Sequence, residues 1–438
     1  MKIEETIDWI HSRKKFGSRP GLERVQALLD KAGNPEKQVP VIHIAGTNGK
    51  GSTVAYLRSI LAAAGLTVGS FTSPYIEEFN ERIAINGDPI ADDDLIRWVE
   101  HYQPFVAELD EEPEISGITE FEVLTALALD YFLDQQVDVA IIEVGLGGLL
   151  DSTNVVEPIL TAITTIGYDH TDILGETLPE IAHQKAGIIK KNIPVVTGNI
   201  PAEALTVIKE KAKAEQAAIY QYDKDYHVKY LQPDGSWGER FDFTSERGRL
   251  SKVKVSLLGR HQIENAGIAI LLYQLYCQQK HLPFEEKAVR NGLLAAEWPA
   301  RMEKISDEPL VILDGAHNDH AIKRLVDNMK REFGQYKIHL LFSALETKDV
   351  DSMLEDLRKI PHVHIYITTF DYPKSLNLSR YDDQETDQFS VVSLWQFGLA
   401  EILESMDDED LLLVTGSLYF VSEVRQLLLN VGGSDERN

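Results

Sequence analysis

The chain has little of several things, and each shortage narrows what it can be. It holds a single cysteine among 438 residues, Cys277. No disulfide framework can form within it, which predicts a reducing, cytoplasmic setting. That thiol ends the apolar run "GIAILLYQLYC", where a buried core position is expected. No apolar run approaches the length of a membrane span, and the start "MKIEETIDWIHSRKKF" lacks the apolar stretch of an export signal. Positive charge is also scarce: 43 Lys and Arg stand against 70 Asp and Glu, for a net charge of −27. Such a field excludes general binding to nucleic acid or to an anionic membrane. It still permits an anionic small substrate wherever a few cations and backbone N–H groups reverse the field locally.

With 43% hydrophobic residues the chain is of globular composition. At this length two domains are expected. The first half alternates β-branched runs with helical patterns. Runs 39–45, 66–71, 137–144, 159–166 and 193–197 are near-continuous in Val, Ile and Leu, as in strands covered on both faces. Between the first two, Val54, Leu57, Leu61 and Ala64 recur at helical spacing, with Gly65 as the stop. This β-α-β order predicts a parallel sheet. Residues 221–258 alternate instead, with a turn at Pro233-Asp234-Gly235, and predict a small antiparallel β subdomain. A second α/β series follows "AAEWPARME", with strands expected at 309–314, 337–343, 362–370 and 411–416. The domain boundary is therefore placed near residue 297, giving domains 1–297 and 298–438.

The stretch "VPVIHIAGTNGKGST" joins a strand to a helix through a glycine-rich turn. Free N–H groups at a helix start, approachable glycines and a lysine favour phosphate. The spacing departs from G-x-x-x-x-G-K-[ST]: Gly46 lies three before Gly49, and Gly51 separates Lys50 from Ser52 and Thr53. Either hydroxyl could serve as a ligand or as a helix cap. Ligands in open α/β sheets gather at the carboxyl ends of the strands, so "TSPYIEEFNERIAING", Glu143 with "GLGGLLDSTN", and "GYDHTD" are read as one crevice. Glu143 lies in an otherwise apolar strand, where a charge needs a cation; Mg²⁺ beside ATP or a core-facing Lys or Arg would each meet that need. Thr119 and Glu122 in "TEFE" have the spacing of a capping box.

Nine stretches carry a family resemblance: "HIAGTNGKGST", "TSPYIEEFNERIAING", "TEFEVLTALAL", "IIEVGLGGLLDSTN", "HQKAGII", "LLGRHQIENAGIAI", "WPARMEKI", "LDGAHN" and "VTGSLYF". In this order the chain resembles the folylpolyglutamate synthases and dihydrofolate synthases of the Mur ligase superfamily, whose phosphate loop carries the extra glycine. The resemblance implies a P-loop ATPase domain with a parallel sheet and small β subdomain, followed by a Rossmann-like α/β domain, with ATP held across the boundary and domain closure about residues 296–300. By motif, Gly46, Thr47, Asn48, Gly49, Lys50, Gly51 and Ser52 would hold the triphosphate, with Asn265, Arg301 and Asp314 completing the ATP site. Ser73, Glu143 and His170 match Mg²⁺ ligands, for one or two ions. Lys185 matches a lysine that is carbamylated in the family. Arg82 belongs to the loop that meets the pterin, and His317 and Ser417 match positions near the incoming glutamate. Lys50, Lys185 and His317 are the implied catalytic groups. Leu149 stands where many members carry Arg, so no cationic contact is implied there.

The activity implied is ATP-dependent addition of L-glutamate to the γ-carboxylate of folates through an acyl phosphate, with dihydropteroate a further substrate and a monomer the expected state. Two rivals use the same loop. A cell-wall Mur ligase acting on a UDP-sugar would need a domain before the loop, where only 45 residues stand. A nucleotide-dependent switch ATPase leaves "LDGAHN" and "VTGSLYF" unexplained.

Overall fold

The computed structural model describes residues 1–17, 20–232 and 237–432. The chain forms two compact units, residues 1–256 with 262–296, and residues 257–261 with 297–438. Among the described residues no helix is long and apolar enough to cross a membrane.

The first unit contains an eight-stranded sheet. Its strands are β1 (Val41–Ala45), β2 (Val68–Phe71), β3 (Ile83–Ile85), β4 (Asp88–Pro89), β5 (Val139–Glu143), β6 (Leu160–Ile163), β7 (Val195–Thr197) and β8 (Ile219–Gln221). They lie in the order β4-β3-β2-β5-β1-β6-β7-β8. The pairs from β2 to β8 are parallel, and β3 and β4 add antiparallel strands at one edge. Every residue of β1, β2, β5, β6 and β7 is buried, as near-continuous apolar runs require. One apolar cluster packs helices Glu23–Lys31, Asp92–Asp110 and Glu120–Asp134 with β1, β2 and β5. Another packs helices Leu178–Ala186 and Ala202–Ala214 with β6 and β7.

Strand starts are trimmed by proline, which has no N–H to donate. β1 begins after Pro40, and β7 begins after Pro194. The alternating segment forms an antiparallel sheet of β9 (Tyr226–Leu231), β10 (Glu239–Ser245) and β11 (Gly248–Val255). The turn expected at Pro233-Asp234-Gly235 lies outside the described residues. Gln221, taken with this segment from sequence, ends β8 of the main sheet instead. The helix Arg260–Lys280 carries Cys277, which is buried.

The second unit has strands β12 (Glu303–Asp307), β13 (Leu310–Leu313), β14 (Lys337–Phe342), β15 (Val363–Thr368), β16 (Phe389–Val392) and β17 (Asp410–Thr415). Their order is β12-β13-β17-β14-β15-β16, parallel except for the β12–β13 pair.

Candidate active site

β1 lies between β5 and β6, so the turn after it opens between the ends of both neighbours. That turn needs its glycines. Gly46 and Gly49 have φ of +153° and +85°, and a Cβ on either would overlap a side chain, Thr164 Oγ1 and Asn265 Oδ1 respectively. Gly49 precedes the helix Lys50–Ala63, which ends before Gly65. Neither hydroxyl caps it. Thr53 Oγ1 donates back to the Gly49 carbonyl at 2.8 Å, and Ser52 Oγ accepts from Gln262 Nε2 at 3.4 Å. Gln262 Oε1 in turn accepts from Asn265 Nδ2 at 3.1 Å.

Threonines after β6 clamp the turn from one side. Thr164 and Thr165 hydroxyls both donate to the Asn48 carbonyl, at 2.7 and 3.0 Å. Thr165 Oγ1 also accepts from the Asn48 N–H at 3.0 Å. Thr47 exchanges hydrogen bonds with Gly167, donating to its carbonyl at 3.1 Å and accepting from its N–H at 3.0 Å. A loop held this way presents its remaining backbone donors without reorganisation, which is what electrostatic stabilisation of phosphoryl transfer requires.

Two lysines converge on the first glycine. Lys50 Nζ and Lys185 Nζ each donate to the Gly46 carbonyl at 3.1 Å. Lys50 Nζ also lies 3.9 Å from Glu143 Oε1, a carboxylate buried at the end of β5. Lys185 is buried, and burial together with the Lys50 charge pushes its pKa down to about 7, against the pull of Asp169 and Asp151. His170 has φ of +49°, a half-exposed ring and Asp169 Oδ1 at 3.9 Å from its Nε2. Among the described residues no group of three or more His, Cys, Asp and Glu side chains is placed to hold a metal ion. A Mg²⁺ site here would therefore draw on a hydroxyl or water oxygens as well.

Beside this centre opens a cleft of about 450 Å³ whose lining includes Ser73, Glu120, Phe121, Leu146, Leu150 and Asp151. The helix entering it starts with the expected capping box: Thr119 accepts from the Glu122 N–H, and Glu122 accepts from the Thr119 N–H at 2.7 Å. Glu122 also forms a buried ion pair with Arg24 at 2.8 Å. Glu120 has its pKa raised by burial, opposed by Arg82 and Lys14. Arg82 Nη2 lies 3.4 Å from Glu120 Oε1, and its guanidinium stacks over Tyr75 and Phe79.

In the second unit, the carboxyl ends of β13 and β17 gather the remaining motif residues. Asp314 accepts from the Met302 and Ala316 N–H groups, both at 2.9 Å. Burial raises its pKa while the Arg301 charge lowers it. Arg301 donates to the Ala300 carbonyl at 3.0 Å. His317 Nδ1 bonds the Gly315 carbonyl at 2.8 Å; a carbonyl only accepts, so this nitrogen carries a proton. Ser417 is buried directly before the helix Leu418–Gly432.

The structure thus places Gly46 to Ser52, Glu143, Lys185 and Asn265 around one turn of the first unit, with Ser73 on the adjoining cleft. Arg301, Asp314, His317 and Ser417 cluster in the second unit, and His170 points half into solvent. Sequence reasoning passed over Thr164, Thr165 and Gln262, and took Asp151 only as part of the crevice stretch "GLGGLLDSTN". Two signals were available: a Thr-Thr pair directly after a buried strand, and Gln262 three before Asn265, on the same helix face.

Residues 44–273 match the Mur ligase middle domain, and residues 300–418 match the Mur ligase glutamate ligase domain. The chain is 43% identical over 431 residues to a dihydrofolate synthase/folylpolyglutamate synthase of Bacillus subtilis, covering 97% of this chain and 99% of that one. Its fold matches the apo form of L. casei folylpolyglutamate synthase with a TM-score of 0.88 at 39% identity, over 98% of this chain and 100% of the other. A folylpolyglutamate synthase complex with AMPPCP and folate matches with a TM-score of 0.85 at 38% identity, over the same shares.

Proposed function

The chain belongs to the Mur ligase family, in its folylpolyglutamate synthase and dihydrofolate synthase branch, and from this premise we propose that it adds L-glutamate to the γ-carboxylate of folates with ATP as co-substrate. Relatives bearing both activity names make dihydropteroate a second acid substrate, giving dihydrofolate. The observation that carries the reading is the clamped Gly46–Gly49 turn with Lys50 and Lys185 both on the Gly46 carbonyl. In a chain of net charge −27 this is a local cationic pole, prepared for a triphosphate.

The chemistry follows from the acid. A carboxylate resists attack because the attack adds charge to an anion. Transfer of the γ-phosphoryl group gives an acyl phosphate with a good leaving group, and the glutamate amine then displaces phosphate. Such transfer depends on positioning and charge neutralisation. Lys50, the turn N–H groups and Ser52 orient the triphosphate, and Arg301 and Asp314 are assigned to the nucleotide by their motifs. His317 and Ser417 receive the amino acid, and the cleft beside Phe121, with Arg82 at its loop, receives the pterin.

The donor set fits Mg²⁺. Glu143 offers a buried carboxylate at the end of β5, and Ser73 and His170 would add a hydroxyl and an imidazole. A bound Mg²⁺ supplies charge neutralisation on the phosphates. Lys185, with its amine near neutrality, is suited to carry a carbamate, whose carboxylate would serve a second ion. The protein is assigned as a cytoplasmic monomer.

Positional isotope labelling tests the acyl phosphate. With the folate γ-carboxylate carrying ¹⁸O, one labelled oxygen should appear in the released phosphate for each glutamate added. Phosphate free of label would refute the intermediate.

A further inference from the structure

The middle residue of β1 is a histidine, and the proposed reaction gives it no role. His43 stands in β1 among Val41, Ile42, Ile44 and Ala45, and it is fully buried. Its Nε2 lies 2.9 Å from Thr153 Oγ1. Thr153 Oγ1 donates to Asp151 Oδ1, and Asp151 lies on the cleft assigned above to the pterin. Asp151 further accepts from the Leu146 N–H at 2.7 Å and the Thr153 N–H at 3.0 Å.

The direction of this relay can be worked out from its ends. The far nitrogen, His43 Nδ1, is buried without a hydrogen-bond partner. Were that nitrogen protonated, the core would hold an orphaned N–H, one of the rarest defects in folded proteins. A bare lone pair there costs less. The proton therefore sits on Nε2, which donates to Thr153 Oγ1. Thr153 has one hydrogen and passes it on to Asp151. Backbone donors arriving from Leu146 and Thr153 make Asp151 the acceptor of the whole set, hence a carboxylate, although burial works against its charge. A charged imidazole is excluded at this position, because burial pushes the His43 pKa down to about 3.

We propose that His43 is a positioning residue for acid-substrate binding: its Nε2–H fixes the Thr153 hydroxyl, which fixes the Asp151 carboxylate, which fixes the Gly145–Asp151 wall of the cleft. The strand that ends in the phosphate turn thereby also braces the floor of the neighbouring substrate site. The inference rests on the assignment of that cleft to the folate. It identifies a determinant of folate affinity that touches neither folate nor ATP.

The test compares His43→Phe, which keeps a ring and loses the donor, with His43→Gln, whose amide N–H replaces Nε2–H. Loss of one buried hydrogen bond in the relay is expected to raise the KM for tetrahydrofolate about tenfold in His43→Phe, with the KM for ATP changed by less than about twofold. His43→Gln should return most of the folate affinity. Thr153→Val and Thr153→Ser repeat the comparison at the middle of the relay, should the ring variant fail to fold. An unchanged folate KM in both His43→Phe and Thr153→Val, or equal rises in the folate and ATP KM values, would overturn the proposal. Wild-type enzyme inactive on folate would instead overturn the assignment of the cleft. Histidine-ring NMR then still decides the relay, which requires an unprotonated Nδ1 from acid to alkaline pH.

Discussion

The Lys185 ammonium donates to the carbonyl of Gly46 at 3.1 Å, tying a helix 139 residues downstream to the first glycine of the phosphate turn. The same carbonyl also accepts from Lys50 Nζ, so two lysines share one acceptor. Burial, and next the Lys50 charge, push the Lys185 pKa down to about 7.

That value predicts both a pH dependence and a chemistry. In the unfolded chain a lysine titrates near 10.4. Between about pH 7 and that value the unfolded state binds one more proton than the folded state, so stability should rise with pH across this window. Below about pH 7 the penalty is fully present. Lys185→Met should flatten this slope in urea unfolding series. Near neutrality about half of the amine is unprotonated and able to add CO₂, the proton passing to water. With ¹³C-labelled bicarbonate, one carbamate resonance is expected in the wild type and none in Lys185→Met.

Glu143 is a buried carboxylate 3.9 Å from Lys50. Glu143→Ala should abolish Mg²⁺-dependent turnover, by at least about 100-fold, while the far-UV circular dichroism stays that of the wild type. Near-normal turnover would remove Glu143 from the metal role.

Gly46→Ala places a methyl against the Thr164 hydroxyl and forces a side chain into φ +153°. The Thr164 and Thr165 clamp on Asn48 must then open. The expected result is a rise of about tenfold or more in the KM for ATP, with the folate KM little changed. A parallel rise in both would mean that the turn also supports the folate cleft.

The capping box and its ion pair separate two contributions to stability. Thr119→Val removes a cap and should cost about 1 kcal/mol. Glu122→Leu removes the cap partner and also one half of a buried pair with Arg24, for about 3 kcal/mol. Equal costs in chemical denaturation would show that the Arg24 pair contributes nothing.

Long apolar strands were legible in the sequence because burial on both faces leaves a continuous run, as in β1, β5 and β17. Short edge strands were not. β3, β4, β8, β12 and β16 have two to five residues and few fully buried positions, so their pattern merges with loop composition. The phosphate turn was legible from its glycines and lysine. Its threonine clamp was hidden because Thr164 and Thr165 reach Asn48 across more than 100 residues. Lys185 was legible from its motif, but its bond to the Gly46 carbonyl was not, because a backbone partner leaves no mark in sequence. His43 looked like one more residue of an apolar strand, and only the geometry of Thr153 and Asp151 distinguishes it.

The central claim is tested most directly by ADP release from the purified protein with ATP, Mg²⁺, L-glutamate and either tetrahydrofolate or dihydropteroate. Release that requires both glutamate and a pterin acid is the predicted result. Inactivity with both pterins, or equal ATP turnover when glutamate and pterin are omitted, would contradict the account.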